Sequence, residues 1–129
     1  MQINVVCGVI LYKNKILISK RSKKKEEYAY RWELPGGKVN KNENLKNALI
    51  REIKEELNID IIINKLLYIV KKVNNKYNVY YYLCKTNLCN IKKNNEISVY
   101  KLINKLDYIN IKMMPNDHLV LNYYNHISP

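Results

Sequence analysis

The chain predicts an α+β fold, a mixed sheet that carries one strong internal helix and one terminal helix. Three observations carry that expectation. β-Branched and tyrosine-rich runs, bounded by short polar turns, read as strands. An apolar stripe at helical spacing occupies about Asn44 to Leu57, and a shorter one about Asn116 to Asn125. With 129 residues, 15.4 kDa and 47% apolar residues, the chain is sized for one core, and residues 1–129 are expected to form a single domain.

In chain order, Ile3 to Tyr12 is a β-branched run, followed by the turn Lys13-Asn14-Lys15 and a second run from Ile16 to Ile18, together a hairpin. Ser22 to Arg31 reads as a charged loop. Glu33-Leu34-Pro35-Gly36-Gly37 reads as a hard turn, because proline removes a donor and two glycines free the backbone. The internal helix places Leu45, Ala48, Leu49, Ile53 and Leu57 on one stripe. Ile61 to Val73, Tyr77 to Thr86 and Ile97 to Ile103 are the later strands, and Tyr80-Tyr81-Tyr82 suits sheet packing. The last helix repeats Leu119, Val120, Tyr123 and Tyr124 at helical spacing.

Composition excludes several classes. The apolar run of MQINVVCGVILYKNK is too short to span a bilayer and has no basic region before it, so no membrane partner is expected. Cys7, Cys84 and Cys89 are an odd set without CxxC spacing, which fits buried thiols in a reducing, cytoplasmic setting. The formal net charge is +12, but twenty of the 23 basic residues are lysine. Arginine, the preferred side chain for bidentate phosphate contacts, occurs only at Arg21, Arg31 and Arg51. Binding to nucleic acid is therefore allowed by the charge and not required by it.

The informative segment is Arg51-Glu52-Ile53-Lys54-Glu55-Glu56. Glu52, Glu55 and Glu56 fall within an arc of about 100°. Glu56 projects between Leu45 and Leu49, toward the side that should be buried. Partly buried like charges repel, so the cluster calls for a cation among them, and Mg²⁺ is the hard ion suited to oxygen ligands. The competing reading is a solvated acidic face paired with Lys54 and Arg51. Gly36 and Gly37 lie just upstream, where a carbonyl can reach the same ion and a phosphate can approach without a Cβ in the way.

From Gly37 the chain runs GKVNKNENLKNALIREIKEELNI. This resembles the Nudix box, G-x5-E-x7-R-E-U-x-E-E-x-G-U with U aliphatic, at every fixed position but one. Asn58 stands where the family has glycine, and asparagine is the best non-glycine residue for a left-handed helix cap. The entry Trp32-Glu33-Leu34-Pro35-Gly36-Gly37-Lys38, the start VVCGVILY, the pair Lys20-Arg21 and Pro115-Asn116-Asp117 resemble the MutT-like branch.

The resemblance implies an α/β/α sandwich around a mixed central sheet, with one catalytic helix and a C-terminal helix. It implies Mg²⁺-dependent hydrolysis of nucleoside triphosphates to the monophosphate and pyrophosphate, with Mn²⁺ able to substitute and oxidised nucleotides such as 8-oxo-dGTP as a leading substrate. Metal would be held by Glu52, Glu55, Glu56 and the Gly36 carbonyl. Arg51 would orient the carboxylates through Glu43 or Glu52, or would simply pair with Glu55. Glu96, the only acid between Asp60 and Asp107, would contribute as a metal contact or general base from a later loop. Arg21, Gly37 and Lys38 would meet phosphates, Leu34 would wall the base, and Asn116 or Asp117 would read the base edge unless it caps the last helix. Competing functions are dinucleoside polyphosphate or RNA 5′-pyrophosphate hydrolysis and, from another class, a non-catalytic nucleic-acid-binding module.

Overall fold

The computed structural model describes residues 2–21, 30–87 and 97–128. Glu96, Cys89 and most of the charged loop lie outside the described residues, and Arg21 enters through its backbone alone. β1 (Ile3–Tyr12) and β2 (Lys15–Arg21) form the expected hairpin, with Leu11 opposite Ile16 and Tyr12 opposite Lys15. Lys13 and Asn14 both take positive φ, 48° and 66°, the two-residue turn whose twist matches the strands it joins.

β3 (Trp32–Glu33) and β4 (Gly36–Lys38) follow, then α1 (Leu45–Leu57), β5 (Ile62–Val73), β6 (Tyr77–Lys85), β7 (Ile97–Ile103) and α2 (Pro115–Ile127). A 3-10 turn, Asp107–Asn110, precedes α2. Among the described residues the seven strands make one mixed sheet. Its path is β3-β2-β1-β6-β5, with β4 beside β1 and β7 beside β2. β1 runs parallel to β6 and antiparallel to β2 and β4.

Strand alternation sends alternate side chains to opposite faces. Val6 and Ile10 of β1 pack with Leu17 against Ala48, Leu49, Ile53 and Leu57 of α1. Val9 packs on the other face with Ile16, Ile18, Tyr108 and the α2 residues Val120 and Leu121. The sheet thus lies between two helices, the expected sandwich. Burying Leu49, Ile53 and Leu57 stabilises the α1 face by roughly 1.5–3 kcal/mol each.

α1 ends as its sequence dictates. The Asn44 side chain accepts from the Asn47 N–H at 2.8 Å, satisfying one of the open first-turn donors. Asn58 closes the helix at φ 57°, ψ 38°, donating its N–H to the Lys54 carbonyl.

Two expectations need correction. The proposed turn at Glu33–Gly37 is a step between two short strands, and neither glycine has positive φ. Gly36 is needed for close approach: a Cβ there would run into the Val6 carbonyl of β1. On α2 the buried residues are Asp117, Val120 and Leu121, whereas Leu119 and Tyr123 face outward. Leu119, Val120 and Leu121 are contiguous and so spread over the helix, which leaves hydropathy unable to rank the faces, and the inward face carries an acid. No helix among the described residues is long and apolar enough to cross a membrane.

Candidate active site

β4 delivers the glycines to α1. Val5, Val6 and Cys7 of β1 pair with Lys38, Gly37 and Gly36, and the Gly8 N–H donates to the Pro35 carbonyl at 2.9 Å. This zipper leaves no slack. A Cβ built on Gly37 would collide with the Glu52 carboxylate, so the second glycine is the cradle into which that carboxylate fits.

Arg51 organises the acids. Its Nε and Nη2 hold the two oxygens of Glu43 at 2.8 and 3.0 Å, a bidentate pair. Nη2 also reaches the Lys38 carbonyl at 3.1 Å, and Nη1 donates to Glu52 at 3.2 Å and Glu55 at 3.1 Å. Of the pairings open to Arg51 from sequence, the protein makes all three. The guanidinium holds the Glu43 carboxyl below its ordinary range, chiefly through that hydrogen bond and then through the Asn40 N–H. Glu43 in turn pushes the Arg51 pKa up. Glu43 is thereby a clamp that ties the loop after β4 to the helix.

Glu52 and Glu56 are half-buried, while Glu55 is exposed. The donors suit a hard divalent ion by chemistry, since Glu52, Glu55 and Glu56 supply carboxylate oxygens from neighbouring positions of one helix. The cradle at Gly37 supports the same use, because only a residue without a Cβ lets Glu52 stand so close to the chain. With Glu52 and Glu55 turned to Arg51, no three such groups among the described residues converge as a ready cation site.

A second acid lies across the sheet. Asp117 on α2 is 5% exposed, accepting from the Leu34 N–H through Oδ2 at 2.8 Å and from the Tyr81 hydroxyl through Oδ1 at 2.8 Å. It is not a helix cap: Met114 occupies the cap position, Pro115 starts the helix, and the Asp117 side chain turns inward. Asn116 beside it is half-buried. Leu34 is 1% exposed and packed in the α2-side core, so its side chain is part of that core. Tyr81 is the residue that sequence reading passes over. It sits in a tyrosine triplet with no local mark, and only the need of a buried acid for a donor points to it.

Cys7 joins the two halves. It is half-buried and free; its thiol is pushed well up, first by burial and then by the charges of Asp117, Glu33, Glu56 and Glu52. One atom of β1 thus feels the acids of α1, α2 and β3 together. Cys84, fully buried elsewhere, is raised to about 12 by burial alone. Lys38 is exposed at the end of β4, and its backbone carbonyl is the one that Arg51 reaches.

Residues 2–120 match the family model described as NUDIX domain. Over 80 residues, 62% of this chain, the sequence is 42% identical to an 8-oxo-dGTP diphosphatase of Buchnera aphidicola subsp. Schizaphis graminum, covering 61% of that protein. Over 63 residues, 49% of this chain, it is 38% identical to a CTP pyrophosphohydrolase of Escherichia coli, covering 46% of it. The chain thus aligns with about half to three-fifths of these relatives' length. A MutT protein from Methanosarcina mazei has the same fold, with a TM-score of 0.82 at 22% identity over 99% of this chain and 96% of that one. A match over nearly the whole chain, on a fold whose glycine strand and glutamate helix meet as described, makes this chain a member of the NUDIX domain family.

Proposed function

We propose that the chain hydrolyses nucleoside triphosphates to the monophosphate and pyrophosphate, with oxidised purine nucleotides such as 8-oxo-dGTP among its substrates. The observation that supports this most is the Arg51 assembly, which sets Glu52 against Gly37 and keeps Glu43 and Glu55 in one network. A cluster of acids so costly to gather needs a use for its charge. The names of the relatives, 8-oxo-dGTP diphosphatase and CTP pyrophosphohydrolase, point the same way.

Family members generally depend on a divalent metal. Here Glu52, Glu55, Glu56 and the Gly36 carbonyl would hold Mg²⁺, or Mn²⁺ in its place, with Glu96 as a further ligand or base. What a divalent cation supplies when bound is neutralisation of the polyphosphate oxygens and easier ionisation of water. The chain's own residues do the rest. Arg51 fixes the carboxylates, and Gly37 gives the Glu52 carboxylate its close seat against the chain. Arg21 and Lys38 balance phosphate charge, while Asn116 and Asp117 frame the base and Leu34 backs them through the N–H it donates to Asp117. One water is consumed: its oxygen bonds to phosphorus, its proton passes to a carboxylate base or to solvent, and the bridging oxygen leaves with its electron pair on the departing phosphate group.

The test is incubation with Mg²⁺ and a panel of dNTPs, 8-oxo-dGTP, 5-methyl-dCTP, diadenosine tetraphosphate and triphosphorylated RNA. The expected products from dNTPs are monophosphate and pyrophosphate, and Glu56→Gln lowers kcat by on the order of 10³-fold with thermal unfolding unchanged. Orthophosphate release from dNTPs, or turnover indifferent to Glu56→Gln, would overturn the reading. RNA binding without hydrolysis of any substrate would favour a binding module.

A further inference from the structure

We propose that Tyr81 is a positioning residue for base selection: with the Leu34 N–H it holds the Asp117 carboxylate as a fixed double acceptor, which selects bases presenting two adjacent N–H donors. Guanine and 8-oxoguanine present such an edge, N1–H beside the 2-amino group; cytosine and adenine set a ring acceptor beside their amino group. This rests on the reading that Asp117 frames the base of a bound nucleotide.

The geometry carries it. Both bonds are donated to Asp117, both are 2.8 Å, and they arrive from different elements, β6 and the β3–β4 step. Each carboxylate oxygen is engaged, so rotation of the carboxylate plane breaks both bonds at once. Tyr81 is 2% exposed and keeps its proton far above the ordinary tyrosine range, first because it is buried and then because of the Asp117 charge. It is therefore a donor to Asp117 at every working pH. An ionised carboxylate accepts at about four positions and donates at none. Facing cytosine or adenine, one of its oxygens meets a lone pair; facing a guanine edge, both meet N–H groups. A site with a polar pattern built into its buried wall discriminates strongly against the mismatched partner.

Calorimetry with dGMP, 8-oxo-dGMP, dCMP and dAMP, without added metal, separates base selection from catalysis. The wild-type protein should bind guanine monophosphates about tenfold more tightly than dCMP or dAMP. Tyr81→Phe should reduce that ratio to within about threefold, and with dGTP it should raise KM about tenfold while kcat falls less than about threefold. Asp117→Asn, which turns one acceptor into a donor, should shift preference toward dCMP, and adding Tyr81→Phe to it should move the ratio less than about twofold. No guanine preference in the wild type, an unchanged ratio in folded Tyr81→Phe, or no mononucleotide binding would overturn the proposal. Selective dGMP binding without hydrolysis of any triphosphate would instead overturn the hydrolase reading and leave this one standing. Hydrolysis without base preference would do the reverse.

Discussion

The two acidic assemblies that face Cys7 are built on opposite terms. On α1 a single guanidinium serves three carboxylates, all within one helix and the loop before it, and the cluster stays partly in water. On α2 a single carboxylate is served by two neutral donors, 36 and 83 residues away in sequence, and is almost wholly enclosed. Water and cations can replace a lost partner in the first, so its geometry is adaptable and its loss falls on chemistry. In the second a lost partner leaves a buried polar group unsatisfied, so its loss falls on the fold as well as on whatever the carboxylate reads.

The glycine pair at the head of the first assembly breaks this comparison most sharply. Gly36 and Gly37 are adjacent, yet a Cβ on Gly36 meets β1 backbone first while one on Gly37 meets the Glu52 side chain first. Backbone pinned by β4–β1 pairing cannot yield, so Gly36→Ala should cost more than about 4 kcal/mol in urea unfolding and leave little folded protein. The Glu52 side chain can swing away, so Gly37→Ala should remain folded and lose about 10–100-fold in kcat. Equal effects of the two substitutions on melting temperature would show that the cradle is a packing feature and not a site feature.

Asp117→Ala tests the second assembly directly. It strands the Leu34 N–H and the Tyr81 hydroxyl inside the protein, an expected loss of about 2–5 kcal/mol in chemical unfolding. Glu43→Gln, the matching change at the Arg51 hub, should have a far smaller effect, because Arg51 retains Glu52, Glu55 and the Lys38 carbonyl. Acid separates them further. The folded Glu43 pKa lies below its ordinary value of 4.5, so its contribution is present above that value and disappears as pH falls through the lower, folded one. Wild type and Glu43→Gln should therefore differ in stability at neutral pH and converge in strong acid. Failure to converge would remove Arg51 as the cause.

The contrast also explains what was legible in the sequence. The α1 assembly is local: fixed spacings from Gly37 through Glu43 to Glu56 encode a helix face, its cap at Asn58 and the residues that share an arc. Of its apolar stripe, Ala48, Leu49, Ile53 and Leu57 are buried and Leu45, in the first turn, is half-buried. The α2 assembly is made by tertiary contacts. The positions of Asp117 and Pro115 can be picked from the chain, but not whether the acid caps its helix or turns inward. Tyr81 could not be told from Tyr80 or Tyr82, because in a strand only register against β1 decides which face a tyrosine takes. Of the two reasons the sequence offers for the glycines, φ freedom is unused and close approach is used, by β1 backbone at Gly36 and by the Glu52 carboxylate at Gly37.

The smallest expected effect lies at Asn58, the one departure from the family's box, where α1 ends. A left-handed conformation costs most L-residues about 1–2 kcal/mol, and asparagine less because its side chain bonds locally. Glycine carries no such cost, but it gains more freedom on unfolding, which offsets part of the advantage. Asn58→Gly should therefore stabilise by only about 0.3–0.5 kcal/mol, whereas Asn58→Ala should destabilise by about 1 kcal/mol. Neither should alter kcat, since Asn58 is exposed at the C-terminal cap, beyond the last of the carboxylates. A change in turnover for Asn58→Gly would mean that the helix end is coupled to Glu56, two residues before it. The α1 assembly would then be less adaptable than its half-exposed charges imply.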